Sequence, residues 1–79
     1  MEHVYLVRDS EGILKDTELY NNDFQGDWRE SEYLRNAMKG KMINIFGGDA
    51  FSKGYIEVIN LKDHTVTRIE SYKQLREGN

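Results

Sequence analysis

The stretch YIEVINLKDHTVTRI, residues 55–69, decides the fold of this chain. Its first half alternates side chains in the manner of a strand, with Ile56 and Val58 on one face and Ile59 on the other. Residues 62–64 form a tight polar connection, after which a second run rich in β-branched residues returns. The stretch therefore predicts an antiparallel hairpin, and the rest of the chain is expected to build a sheet around it.

The N-terminal residues predict a second hairpin. Residues 3–8 are typical of a strand that is apolar on both faces, which suits a strand covered on both sides. The segment from Asp9 to Gly12 is a turn signal, and residues 13–15 are expected to return as a short strand. Residues 16–26 are polar and irregular, so they predict a loop.

One main helix is predicted between the hairpins, over residues 28–39. Asp27 and Glu30 have the spacing of a capping box, and Gly40 is typical of the residue that follows a helix C-terminus. The apolar stripe of this helix consists of Tyr33, Leu34, Ala37 and Met38. The stripe is expected to pack on the sheet.

Two further elements complete the predicted domain. Residues 42–46 favour a strand, with Ile43 and Ile45 on one face. Ser71 and Gln74 form a second capping box, which predicts a short helix over residues 72–77. The sequence thus predicts a single α+β domain over residues 1–79, with a mostly antiparallel sheet of about four or five short strands packed by a main helix and a short C-terminal helix.

Composition excludes several kinds of chemistry. The 79 residues contain no cysteine, so disulfides, thiolate metal centres and cysteine nucleophiles are excluded. No apolar run is long enough to cross a bilayer, and the N-terminus lacks the cationic region of a secretory signal. We therefore expect a cytoplasmic protein that makes no membrane contact and that needs neither a cofactor nor a metal.

Charge divides along the chain into an acidic part and a basic part. Residues 9–32 contain eight acidic and two basic side chains, whereas residues 35–54 contain four basic side chains and one acidic one. Large aromatic residues are interleaved with the acids, and Trp and Tyr are enriched among the residues that anchor protein interfaces. The predicted partner-binding residues are Tyr20, Asp23, Phe24, Asp27, Trp28, Glu30 and Glu32. Their partner would be a protein with a basic surface, although Trp28 fits equally well as a core residue at the helix start.

A nucleic-acid-associated module is the main alternative. Arg35, Lys39, Lys41 and Lys53 form a basic patch that could contact phosphate without reading sequence. Residues 53–58 also resemble the start of the RNA-recognition strand signature, since they keep Lys, Gly, an aromatic residue and Val. Glu57 departs from that signature, because it stands where a second stacking aromatic residue belongs.

A calcium loop is a minor alternative. Residues 21–32 carry oxygen-bearing side chains at the first, third and fifth positions, Gly26 at the sixth and Glu32 at the twelfth. Over these twelve residues the chain resembles an EF-hand. Gln25 and Arg29 depart from the pattern, and a polar loop that ends at the helix cap explains the same residues.

Catalysis is not predicted. His3 and His64 are the only histidines, and no serine lies in a nucleophile-elbow context. A chain this short also has little volume for an enclosed ligand pocket of about 300 Å³ or more. The sequence therefore favours a small non-enzymatic protein-binding module, an inhibitor or adaptor of the type found among bacterial and bacteriophage regulatory proteins. A homodimer that pairs through the edge of the last hairpin is a further alternative.

Overall fold

A computed structural model describes residues 2–21 and 31–77 of the chain. It confirms the α+β class, with an antiparallel sheet, one main helix and a short C-terminal helix. A 3₁₀ turn, Ala50–Ser52, precedes the third strand. The elements in chain order are β1 (Glu2–Asp9), β2 (Leu14–Asn21), α1 (Glu32–Phe46), β3 (Gly54–Asn60), β4 (Val66–Ile69) and α2 (Tyr72–Glu77).

Within the described residues the sheet has four strands in the order β2-β1-β3-β4, and all neighbouring strands are antiparallel. The predicted turn between β1 and β2 is confirmed. The Asp9 carboxylate accepts the backbone N–H groups of Glu11 and Ile13, each at 2.9 Å, and Gly12 adopts a φ of 85°. The predicted hairpin of β3 and β4 is confirmed as well, and His64 in its connection has a φ of 62°.

The core lies between one face of the sheet and the two helices. Alternate strand residues face the helices, and α1 contributes positions four residues apart, as a helix that packs along one stripe requires. The buried apolar side chains are Tyr5, Val7, Leu34, Met38, Met42, Ala50, Ile56, Val58, Ile69 and Leu75. β1 was expected to be covered on both sides. Among the described residues, however, only its Tyr5 and Val7 face is covered, whereas Val4 and Leu6 remain partly exposed.

The bounds of the main helix differ from the prediction at both ends. Ser31 is the N-cap, and its Oγ accepts the N–H of Leu34 at 3.2 Å. The predicted capping box of Asp27 and Glu30 falls outside the described residues. Gly40 lies inside the helix, and Gly47 ends it by donating its N–H to the carbonyl of Ile43 at 2.8 Å.

The predicted strand over residues 42–46 is wrong, because these residues form the last part of α1. Met42 lies four residues after Met38, and both are buried on the same stripe. Burial of this stripe outweighs the β-propensity of Ile43 and Ile45. Tyr33 is 72 % exposed, so it does not belong to the stripe that was predicted to include it.

The predicted loop over residues 16–26 is wrong for residues 16–21, which belong to β2. β2 forms one edge of the described sheet, and it carries polar side chains because Asp16 and Glu18 pair with Lys41 of α1. Residues 22–26 lie outside the described part of the chain. The C-terminal helix is confirmed, since the Oγ of Ser71 accepts the N–H of Gln74 at 3.0 Å.

Candidate interaction surfaces

The face of the sheet that points away from the helices carries an apolar row. Val4 pairs with Leu19 on one side and with Ile59 on the other, and Ile59 pairs with Val66. Residues that pair directly across antiparallel strands share a face, so these four side chains form one row across all four strands. Leu19 is 61 % exposed and Val66 is 57 % exposed. We call these four residues the apolar row.

Charged residues beside the apolar row neutralise one another. Arg8 Nε lies 2.6 Å from Glu57 Oε1, and Arg68 Nε lies 3.2 Å from Glu70 Oε1. The Arg68 guanidinium also lies 3.7 Å from the centroid of the Tyr55 ring. A molecule that docks on the row would therefore meet paired charges, which avoids the cost of burying a lone charge.

A second surface is a groove of about 150 Å³ between α1 and α2. It is lined by Glu32, Arg35, Asn36, Lys39, Tyr72, Leu75 and Arg76. We call it the cationic groove, because three of its side chains are cationic and only one is acidic. Buried Leu75 belongs to the core cluster, so the groove is anchored on the packed part of the helix layer.

Hydrogen bonds position several of the groove residues. Arg35 Nη1 donates to the backbone carbonyl of Arg76 at 2.7 Å and thereby joins the two helices. The Tyr72 hydroxyl donates to the carbonyl of Gly48 at 2.9 Å, and its ring packs edge-on against Phe51. Lys39 Nζ lies 5.8 Å from the centroid of the Tyr72 ring. The two hydrogen bonds connect α1 to α2 and α2 to the segment around Gly48.

The predicted basic patch is divided between separate places. Arg35 and Lys39 lie together in the cationic groove. Lys41 instead lies 2.9 Å from Asp16 Oδ2, and Lys53 lies 3.4 Å from Asp49 Oδ1.

The ion pair of Lys41 and Asp16 shifts the pKa values of both groups in opposite directions. The hydrogen bond to Asp16 raises the pKa of Lys41, and the same contact lowers the pKa of Asp16. Burial raises the pKa of the nearby Tyr5, and the negative charge of Glu18 raises it further. The Lys41 ammonium is therefore neutralised by Asp16 and Glu18 of β2.

Most of the predicted acidic and aromatic surface lies outside the described residues. This applies to Asp23, Phe24, Asp27, Trp28 and Glu30. The backbone of Tyr20 belongs to β2, where it pairs with His3, and Glu32 is exposed in the first turn of α1. Glu32 lines the cationic groove beside Arg35, Lys39 and Arg76, and the sequence did not predict that these residues lie together.

The predicted calcium loop, residues 21–32, also lies mainly outside the described part. Of its residues 31 and 32, which the structure describes, Ser31 is buried and its side chain caps the helix. Within residues 2–21 and 31–77, no group of three or more His, Asp or Glu side chains could hold a metal ion. No helix in these two ranges has the length and apolar character that a membrane span requires.

Comparison of the chain with protein-family models, with curated proteins and with solved structures gives no match.

Proposed function

We propose that this chain is a non-enzymatic protein-binding module, an inhibitor or adaptor of the bacterial or bacteriophage regulatory type that acts in the cytoplasm, and that it docks through the apolar row. The observation that carries this proposal is the continuity of the row across all four strands of the described sheet. Contiguous exposed apolar surface of this kind marks sites of protein contact in soluble domains.

The energetics of the row support a docking role. Full burial of a Leu or Val side chain contributes about 1.5–3 kcal/mol. Since Leu19 and Val66 keep 61 % and 57 % of their surface exposed, a partner would gain about 1–2 kcal/mol from covering each of them. The partner must therefore present an apolar strip of its own, and the paired charges of Arg8 and Glu57 would lie beside that strip.

Small cavities support a binding role over a catalytic one. Two grooves in the described part of the chain have volumes of about 150 and 180 Å³. Pockets that enclose a drug-sized ligand start at about 300 Å³. Neither groove can enclose a substrate of that size.

The test uses an exposure-matched control. Leu19→Gln combined with Val66→Gln removes the exposed ends of the apolar row, whereas Ile13→Gln removes a similarly exposed apolar side chain, 54 % exposed, near the opposite end of β2. We expect tagged wild-type protein and the Ile13 variant to capture the same partner from lysate. The double variant should lose it while keeping the wild-type circular dichroism spectrum. Calorimetry with the purified partner then measures the loss, and equal affinity for all three proteins would reject the row as the docking surface.

The acidic and aromatic residues of the sequence analysis provide a separate test of where the partner binds. Trp28→Ala and the pair Asp27→Lys and Glu30→Lys should abolish capture without unfolding if that surface carries the interaction. Capture that survives these changes and disappears with the Leu19 and Val66 variant would assign binding to the apolar row alone.

Two alternatives, nucleic-acid binding and homodimer formation, are each tested by one measurement. A gel shift with random DNA and RNA at low salt tests the nucleic-acid alternative, which has less support because Lys41 and Lys53 are ion-paired. Light scattering tests a homodimer. β4 forms one edge of the described sheet and could pair with a second copy.

A further inference from the structure

The cationic groove gathers cations that lack acidic partners. Arg35, Lys39 and Arg76 form no ion pair within the described residues, and all three line this groove. Of the other cations in the described part, Arg8, Lys15, Lys41, Lys53 and Arg68 form ion pairs, whereas Lys62 and Lys73 form none and do not line the groove. Like charges four residues apart on a helix destabilise it slightly, so an anion bound beside Arg35 and Lys39 would relieve their repulsion.

The groove matches one phosphate group in charge and in size. Three cations and Glu32 leave two positive charges around it, and a phosphate monoester carries about 1.5 to 2 negative charges at pH 7. The volume of about 150 Å³ is about half of the ~300 Å³ at which pockets for whole drug-sized ligands begin. A phosphate group fits such a space, whereas the rest of a larger ligand would remain outside.

The available donors also suit a tetrahedral oxyanion. Because one nitrogen of Arg35 is held by the carbonyl of Arg76, its remaining N–H groups are oriented for a second acceptor. Lys39 adds an ammonium group from the neighbouring turn of the same helix, and Asn36 lies between them in sequence and also lines the groove. We propose that the cationic groove binds the phosphate group of a small molecule. This site is independent of the proposed docking function.

The experiment titrates the full chain with phosphate and follows the backbone amides by NMR. The probes are inorganic phosphate and methyl phosphate, each adjusted to the same pH and supplemented with sodium chloride to constant ionic strength. We expect saturable shifts confined to residues 32–39 and 72–76. Tighter binding of methyl phosphate would identify a phosphate ester as the source, and tighter binding of inorganic phosphate would identify the free anion.

A matched pair of variants separates a site from general electrostatics. Lys39→Gln with Arg76→Gln removes two groove cations, whereas Lys62→Gln with Lys73→Gln removes two exposed cations that do not line the groove. The groove pair should weaken phosphate binding about tenfold or more, because each lost contact is a charge-assisted hydrogen bond. The control pair should leave binding within about twofold of wild type, since neither of its side chains lines the groove and salt screens charges that act from a distance.

Glu32→Gln gives an independent test of opposite sign. This change removes the one acidic side chain that lines the groove, so it should strengthen phosphate binding a few-fold. A merely structural effect of the variant would weaken binding or leave it unchanged.

Three results would overturn the proposal. They are the absence of saturable shifts at tens of millimolar phosphate, equal weakening by the groove pair and the control pair, and tighter binding of a random single-stranded oligonucleotide that depends equally on Lys62 and Lys73. The last result would mean that the groove cations belong to a surface that binds polyanions in general.

Discussion

Replacement of Gly40 by Ala tests the helix bounds most directly. In the structure Gly40 lies inside α1 and is exposed, and a Cβ added there would meet no heavy atom within 4 Å apart from its chain neighbours and the backbone of its own helix. Alanine is more favourable than glycine in a helix interior by about 0.8–1.0 kcal/mol. We therefore expect Gly40→Ala to raise the free energy of unfolding by about that amount, and to raise Tm by about 4–8 °C, the shift per kcal/mol for a domain of this size. If Gly40 ended the helix in a left-handed conformation, as the sequence alone suggests, the same change would destabilise the domain.

The matched control is Gly47→Ala, at the observed end of the helix. Gly47 has φ 92° and ψ −170°, a region that essentially only glycine adopts and that costs other residues about 1–3 kcal/mol. Urea unfolding followed by circular dichroism measures both variants. For a chain of 79 residues a total stability of about 4–12 kcal/mol makes changes of this size measurable. A destabilised Gly40→Ala together with an unaffected Gly47→Ala would refute the helix bounds.

Two further predictions concern a cap and a turn. Ser31→Ala should lower the free energy of unfolding, measured in urea, by about 1 kcal/mol, because the N–H of Leu34 loses its N-cap acceptor. Ser31→Thr should retain most of the wild-type stability, because threonine also caps helices. Equal stability of wild type and both variants would contradict the cap. The Asp9 carboxylate accepts backbone hydrogen bonds that lower its pKa from the ordinary value of about 3.8, and the bond from Ile13 has the largest effect. A lowered folded-state pKa contributes stability above the unfolded pKa that is lost as pH falls through the folded value. Urea unfolding of Asp9→Asn, which keeps the acceptor oxygen, should therefore show less acid destabilisation than wild type below about pH 4, and identical pH profiles would contradict this role.

Elements with a complete local signal were predictable from the sequence. The β3 and β4 hairpin has alternating and β-branched strands around a polar turn, and Ser71 caps α2 at the predicted spacing. The turn after β1 likewise carries its own acceptor in Asp9. In the turn and the cap, residues within four positions of one another determine the structure, and the hairpin pairs two strands that follow one another in the chain.

Elements that depend on distant contacts were not predictable. Residues 42–46 satisfy both a helical and a strand pattern, and only burial of Met42 in the core selects the helix. The polar residues of β2 give no strand signal in the sequence. Asp16 and Glu18 are accommodated in the strand because they pair with Lys41, which is distant in sequence. The cationic groove was missed for the same reason, since Arg76 joins Arg35 only when α2 packs beside α1. The like charges of Arg35 and Lys39, four residues apart, were the one local signal of it.

The two proposed surfaces lie on opposite sides of the sheet. The apolar row faces away from the helices, whereas the cationic groove lies in the helix layer. No residue belongs to both, and distant sites without shared contacts usually have additive effects. Phosphate binding should therefore be unchanged in the Leu19 and Val66 variant, and partner binding should be unchanged in the Lys39 and Arg76 variant. If either variant impaired both activities while the fold stayed intact, the two surfaces would have to be coupled through the core between β3 and α1, since a close-packed interior transmits strain.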